Sequence, residues 1–341
     1  DEALLKSLHH FTDSTSAVVV GDIISNVHQL PGVVRHQDVV FANQNPEQLA
    51  TLQPDLLISF GKSVISKALK LYLRKHKPLA HWHLQPAGLV ADTFQSLTRV
   101  IRCTPQSFFA SMAGSFRTQS TFATGWFTAN AKASAFLSEY TAKATYSELP
   151  VVARVLQQLP LKSNLHLANS MSVRYANIIG LQPKQQVEVY ANRGTSGIDG
   201  SNSTAVGCAL TKSGITTLLT GDLAFFYDRN GLWHNYLPDN LRIILMNNHA
   251  GGIFRLIDGP KQQPELAPYF ETHQALDARN TARDFGLSYT CIHTLEELEK
   301  ALPQFFAADA GASILEIFTD SATNAEAFEE YRKAVRSLSL V

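Results

Sequence analysis

The sequence is short of the features that mark secreted, membrane-spanning or nucleic-acid-binding proteins. It has 3 cysteines in 341 residues, Cys103, Cys208 and Cys291, which form no CxxC pair and leave an odd count. That pattern speaks against a disulfide scaffold and suits a reducing compartment, where each thiol serves as a small apolar side chain. No apolar run reaches the roughly 18 residues needed to cross a bilayer. The start, Asp1-Glu2, carries none of the basic residues of a signal peptide. Neither sign of charge dominates, with 29 Lys and Arg against 29 Asp and Glu. Without a global basic field nothing draws nucleic acid or anionic lipid, so an anion must be bound by local geometry and the expected ligand is a small molecule. A soluble, cytoplasmic protein is expected.

What is present is apolar material, 45% of the residues, enough for two ordinary cores. SAVVVGD from Ser16 and DLLISFG at 55–61 read as buried strands ending in turns, with a helix expected over 62–76 and a short extended run, LAHWHL, after Pro78. A mixed helical region follows to Pro150, where a boundary is expected between domains at 1–150 and 151–341. The second half alternates more cleanly. Helices are expected at 151–159, 169–179, 202–212 and 225–237, and strands at 187–192, 215–222, 242–248 and in SILEIFT near the end. Strands alternating with helices imply an α/β fold with two parallel-sheet, helix-covered domains, and ligands of such sheets sit at the carboxyl ends of the strands.

Three places lie at those ends: the loop RGTSGIDG at 193–200, Gly221-Asp222, and Asn247 to Phe254. Asp222 and Asn248 end consecutive strands, so a carboxylate and an amide oxygen meet, with backbone carbonyls in the following turn, HAGG. Hard oxygen ligands of this kind suit Mg²⁺, and the glycine-rich turns and the helix after Asp222 would let N–H groups approach a diphosphate. His81 and His83 flank Trp82 at strand spacing, but without a nearby acidic or thiol partner in the sequence they read as core. There is no GxSxG, HExxH or P-loop, and no GxGxxG follows a strand.

Gly221-Asp222 followed at a distance by Asn247-Asn248 resembles the diphosphate-binding signature of thiamine-diphosphate enzymes. The string YANRGTSGIDGSNSTAVG, with HLANSMSVR before it and NNHAGGIF after it, sharpens this. It resembles the 2-succinyl-5-enolpyruvyl-6-hydroxy-3-cyclohexene-1-carboxylate synthases of menaquinone synthesis, over most of 151–335 and more loosely before that. The resemblance implies a central domain followed by a diphosphate-binding domain, with thiamine diphosphate and Mg²⁺ or Mn²⁺ as cofactors. It implies that Asp222, Asn248 and the Ala250 carbonyl bind the metal. Gly221, Asp222, Leu223, Ala224, Asn248, Ala250, Gly251, Ile253 and Ile198 would line the cofactor, Ile198 as the residue over which it bends. It further implies a transferase that decarboxylates 2-oxoglutarate and adds the succinyl carbanion equivalent to isochorismate by a Stetter-type 1,4-addition. Lys67, Ser170, Arg174, Arg193, Phe254 and Ile257 would meet these substrates.

Local chemistry is consistent with that assignment. Both substrates are dicarboxylates, and guanidinium forks suit carboxylates. Ser170 lies four residues before Arg174, so one helix would present both on one face. Ile253, Phe254 and Ile257 would form an apolar wall, whereas His249 has no assigned part. Arg174 and Arg193 argue against another thiamine-diphosphate enzyme acting on monocarboxylates, and Asp222 with Asn248 argues against a non-catalytic binding protein. In the family, the glutamate that activates the cofactor belongs to an N-terminal pyrimidine-binding domain and acts across a subunit interface. The sequence begins directly in the central domain, so the chain is expected to be a C-terminal portion that is inactive alone and part of a homo-oligomer, a dimer or tetramer.

Overall fold

The computed structural model describes residues 2–42, 45–114 and 121–339. These divide into two compact units: the residues up to Ser138 with those from Arg332 onward, and Glu139–Tyr331. The division falls inside the helix Phe122–Lys143. Pro150 stands in the first turn of the helix Glu148–Gln158, where its missing N–H would have had no intrahelical partner anyway. The expected helix at 151–159 therefore starts earlier.

In the first unit, β1 (Leu56–Phe60), β2 (Ala80–Leu84) and β3 (Arg99–Ile101) form a parallel sheet in that order. Leu84 packs with Leu8, Val27, Leu30, Val33, Phe108 and Phe109 in the core beside it. SAVVVGD, the most strand-like run in this half, makes a single bridge among the described residues, Val20 to Val34. Its partner segment is cut short between the turn at Pro31-Gly32 and the helix Gln37–Val40, so no ladder can grow. The helix expected from Lys62 begins at Lys67. The Asp22 carboxylate takes the N–H groups of Ile65 and Ser66, and the Ser66 hydroxyl caps the helix by accepting from Leu69 N–H at 3.1 Å. His81 and His83 turn toward one hydroxyl: Ser59 Oγ lies 2.7 Å from His81 Nε2 and 2.9 Å from His83 Nδ1. An acidic neighbour does exist, since Asp92 Oδ1 is 4.0 Å from His81 Nδ1.

The second unit carries β4 (Asn164–Leu167), β5 (Glu188–Ala191), β6 (Thr216–Gly221), β7 (Leu241–Asn247), β8 (Ser288–Ile292) and β9 (Ser313–Phe318). They form one parallel sheet in the order β5-β4-β6-β7-β9-β8. Every residue of β7 is buried. Leu218, Ile243, Leu245 and Ile314 on the strands pack against Val206, Ala209, Phe225 and Ala282 on the helices, which is why these strands read as unbroken apolar runs. From β4 the chain passes to β5 on one side and then returns to β6 on the other, so the order reverses between β4 and β6. A crevice opens at such a reversal, outside the carboxyl ends of the strands.

Two expectations change here. The helix anticipated at 225–237 runs over Asp222–Tyr227 and gives way to a 3-10 turn, Arg229–Leu232. Asp228 ends it by accepting from Ser203 N–H and Ser203 Oγ, both at 2.8 Å, and Gly231 then lies against Ser203 too closely for a Cβ, which would sit 2.9 Å from its nitrogen. The helix anticipated at 169–179 starts at Met171, leaving Ser170 outside as its N-cap with φ 71°.

His166 on β4 gives a pH dependence to the fold. Its ring is buried and stacked on Tyr190 at 4.9 Å, and burial pulls its pKa down to about 4 from 6.5. Between those values the unfolded chain binds the proton and the folded one does not. The stabilisation is therefore complete above about pH 6.5 and is lost as pH falls toward 4. Denaturant unfolding at pH 7 and pH 4.5 is expected to show a loss in the native protein larger by on the order of 2–3 kcal/mol than in His166→Phe. Equal losses would mean the imidazole is charged in the fold.

Candidate functional site

β6 ends at Gly221, and Asp222 opens the next helix with its carboxylate buried at 3% exposure. One oxygen accepts from Leu223 N–H at 2.9 Å and the other from the Gln274 amide at 2.8 Å. Burial pushes its pKa up, opposed by these two donors, by His249 and by the Ala250 N–H. None of the ion pairs among the described residues includes Asp222. A buried carboxylate without a cationic side chain is costly unless something else supplies positive charge. The helix it opens has only six residues, so individual N–H groups, Leu223 and Ala224 among them, count for more than a macrodipole.

The adjacent strand, β7, ends in an asparagine pair with divided labour. Asn247 is fully buried and saturated: it donates to Leu276 O (2.9 Å) and Glu316 Oε1 (2.7 Å), and accepts from His249 N–H (3.1 Å) and Gln274 Nε2 (3.2 Å). Asn248 donates to Glu148 Oε1 at 2.7 Å and accepts from Ala250 N–H at 3.0 Å. His249 has a positive φ of 57° and its carbonyl accepts from Gln274 N–H at 3.1 Å, and in the same turn the Ala250 N–H points back at the Asn248 side chain. The Ala250 carbonyl accepts one N–H, from Gly252 at 2.9 Å, which leaves one lone pair. Gly251 donates to Glu271 O at 2.6 Å, and a Cβ there would come within 3.1 Å of Phe270 O and 3.2 Å of Phe254 Cδ2. The segment beyond is clamped by Arg255 on the fully buried Glu271, at 2.6 and 2.8 Å, with Ser321 Oγ adding a bond at 2.8 Å.

These donors fit a hard divalent cation. Asp222 offers full charge, Asn248 Oδ1 and the Ala250 carbonyl offer neutral oxygens with spare lone pairs, and all three lie at neighbouring strand ends. No cluster of three or more His, Cys, Asp or Glu able to hold a metal occurs among the described residues, so a metal here would depend on amide and carbonyl oxygens.

A second group forms at the ends of β4 and β5. Asn169, buried, donates to the carbonyls of Asn192 (2.8 Å) and Gly197 (2.7 Å), and its own oxygen accepts from Arg193 Nη1 at 2.6 Å. It thereby ties the glycine-rich loop, with Ile198 exposed on it, to the segment holding Ser170 and Arg174. Arg174 is exposed and donates to the backbone carbonyl of Ser170, so the two meet through main chain rather than as side chains on one helix face. Ile253 and Phe254 are half-buried on the 3-10 helix Gly252–Leu256, with Ile257 exposed just after it. Lys67 belongs to the first unit, exposed at the start of its helix.

Three residues of this architecture escaped the sequence reading: Glu148, Asn169 and Gln274. Asn169 lies inside a motif that drew attention, but Glu148 and Gln274 carry no local signal. Glu148 stands 100 positions from Asn248, is buried, and has its pKa raised to about 7 by that burial, opposed by the Asn248 bond and reinforced by Asp222.

A family profile described as the middle domain of thiamine pyrophosphate matches residues 2–167. A 2-succinyl-5-enolpyruvyl-6-hydroxy-3-cyclohexene-1-carboxylate synthase of Cytophaga hutchinsonii is 42% identical over 97% of this chain and 59% of its own length. Proteins of the same name from Flavobacterium johnsoniae and Porphyromonas gingivalis are each 35% identical, over 98% and 97% of this chain and 59% and 58% of their own lengths. The chain thus spans less than two thirds of the relatives it matches.

Proposed function

We propose that this chain, a member of the 2-succinyl-5-enolpyruvyl-6-hydroxy-3-cyclohexene-1-carboxylate synthase family of thiamine pyrophosphate enzymes, supplies the metal and diphosphate side of the cofactor site. The observation that carries this is the meeting at the ends of β6 and β7 of a buried carboxylate, Asp222, which makes no ion pair among the described residues, with the oxygens of Asn248 and Ala250. Under this reading Asp222, Asn248 and Ala250 hold Mg²⁺, or Mn²⁺ in its place. Backbone from Gly221 to Ala224 and at Gly251 faces the diphosphate, and Ile198 and Ile253 bound the cofactor. When bound, thiamine diphosphate supplies the nucleophilic carbon and electron sink for decarboxylating a 2-oxo acid, with the metal as its anchor.

The proposed reaction is decarboxylation of 2-oxoglutarate and 1,4-addition of the resulting four-carbon unit to isochorismate. Arg174 and Arg193 hold substrate carboxylates by paired charge-assisted hydrogen bonds, with Ser170 assisting. Phe254 and Ile257 exclude water beside the reacting atoms, which strengthens each polar contact. Residues 1–150 act as the central domain and 151–341 as the diphosphate-binding domain of a cytoplasmic homo-oligomer, dimer or tetramer. Because the chain spans 59% of the length of the Cytophaga hutchinsonii relative, we infer that the glutamate activating the cofactor is supplied from outside these residues, and turnover by the 341 residues alone is not expected. The test is isochorismate consumption by the enzyme containing this chain. Consumption requiring 2-oxoglutarate, thiamine diphosphate and Mg²⁺ together is expected. Turnover without thiamine diphosphate would overturn the proposal, and turnover by the 341 residues alone would overturn the division of the site.

A further inference from the structure

An asparagine side chain presents an acceptor and a donor that differ little in shape, so what surrounds it decides which end faces a site. At Asn248 two neighbours vote the same way. Ala250 N–H can only donate and lies 3.0 Å from Oδ1, and the Glu148 carboxylate, when ionised, can only accept and lies 2.7 Å from Nδ2. Glu148 is itself held. Its N–H donates to Asn324 Oδ1 at 3.1 Å, and the hydroxyls of Tyr175 and Thr319 bond its carboxylate. It is 3% exposed, and none of the ion pairs among the described residues includes it.

We propose that Glu148 is a positioning residue, which holds the Asn248 amide with its oxygen toward Asp222 and Ala250 and so keeps that oxygen available to a divalent cation. The inference rests on the metal reading proposed above. Its physical content is competition between two carboxylates for one NH₂ group. Without Glu148, the buried amide nitrogen loses its acceptor and Asp222 is the nearest replacement by charge. Rotation toward Asp222 would point N–H donors at the cation position and withdraw a ligand oxygen.

Mn²⁺ titration in the presence of thiamine diphosphate, with free Mn²⁺ followed by electron paramagnetic resonance, reads this directly. Glu148→Leu removes the acceptor and is expected to weaken Mn²⁺ binding by about 10–100-fold. Glu148→Gln keeps an acceptor oxygen and is expected to stay within about threefold of the native protein. In an Asn248→Ala background, Glu148→Leu is expected to have less than about a twofold further effect, because its action passes through that amide; a merely structural role would persist undiminished. Native binding in Glu148→Leu, an undiminished loss in the Asn248→Ala background, or a loss above tenfold in Glu148→Gln would each overturn the inference. If Glu148→Leu does not fold, Glu148→Ala takes its place, with the same loss and the same dependence on Asn248 expected and the same results overturning the inference. Asp222→Ala separates the two levels: unchanged Mn²⁺ binding there refutes the metal reading itself.

Discussion

Asp222→Ala is expected to weaken Mg²⁺-dependent binding of thiamine diphosphate by more than about 100-fold, a larger loss than outer-shell substitutions around a metal produce. The variant is also expected to unfold at no lower temperature than the native protein when metal and cofactor are absent. Burial already pushes the Asp222 carboxyl above its ordinary range, so in the metal-free fold its charge opposes folding at neutral pH, and its two good bonds are to neutral donors. Opposite signs on the two readouts mark a ligand; a structural carboxylate would lose stability and binding together. Calorimetric titration with thiamine diphosphate at fixed Mg²⁺, beside a thermal scan without either, checks both. A loss of binding under tenfold would remove Asp222 from the metal site.

Arg242→Met is expected to destabilise the second unit by about 3–5 kcal/mol, the largest effect on folding predicted for this protein. Arg242 is fully buried at the start of β7; its hydrogen bonds among the described residues go to backbone carbonyl oxygens, and the Asp239 carboxylate also favours its charge. Nε donates to Phe305 O at 2.6 Å, Nη2 to Ala307 O at 2.8 Å, and Nη1 to Asp239 O at 2.7 Å, Leu241 O at 3.1 Å and Gly311 O. Phe305 is the last residue of the helix Leu295–Phe305, whose unpaired carbonyls form the negative end that a cation satisfies. Methionine fills the volume but leaves the Phe305 and Leu241 carbonyls buried and the others part-buried, without the guanidinium donors. Lysine keeps the charge yet has three donors on a point centre, so Arg242→Lys should recover only part of the loss. Denaturant unfolding followed by far-ultraviolet circular dichroism measures the difference; a change under about 1 kcal/mol would show that water replaces the guanidinium.

Much of the second unit's sheet was legible in the chain because strands buried on both faces must be apolar throughout. ITTLLTGD, RIILMNN and SILEIFT therefore announce β6, β7 and β9 almost residue for residue. β4 and β8 were not legible. NLHL and SYTCI mix polar residues into short strands, and Asn164 is acceptable in the interior only because its amide reaches Ser213 O at 3.1 Å. SAVVVGD failed in the opposite direction, since its composition is that of a strand but its neighbour cannot lengthen the ladder. No helix among the described residues is long and apolar enough to cross a membrane, in keeping with the absence of long apolar runs in the sequence.

The sequence by itself determined the parallel, helix-covered class, the positions of the main strand ends, and the placing there of Asp222, Asn248 and the glycine-rich loop, because side-chain period and turn chemistry are local properties. Only the tertiary structure decided that Asn247 is saturated while Asn248 keeps a free lone pair, and that Asn169 gathers the Arg193 loop. It also decided that Ser170 leaves its helix, and that Glu148 and Gln274 complete the surroundings of Asp222 and Asn248. Those outcomes depend on which donor meets which acceptor across distant segments, such as the 100 positions between Glu148 and Asn248. Buried polar groups must find partners wherever the packed chain offers them, and no local pattern encodes where that will be.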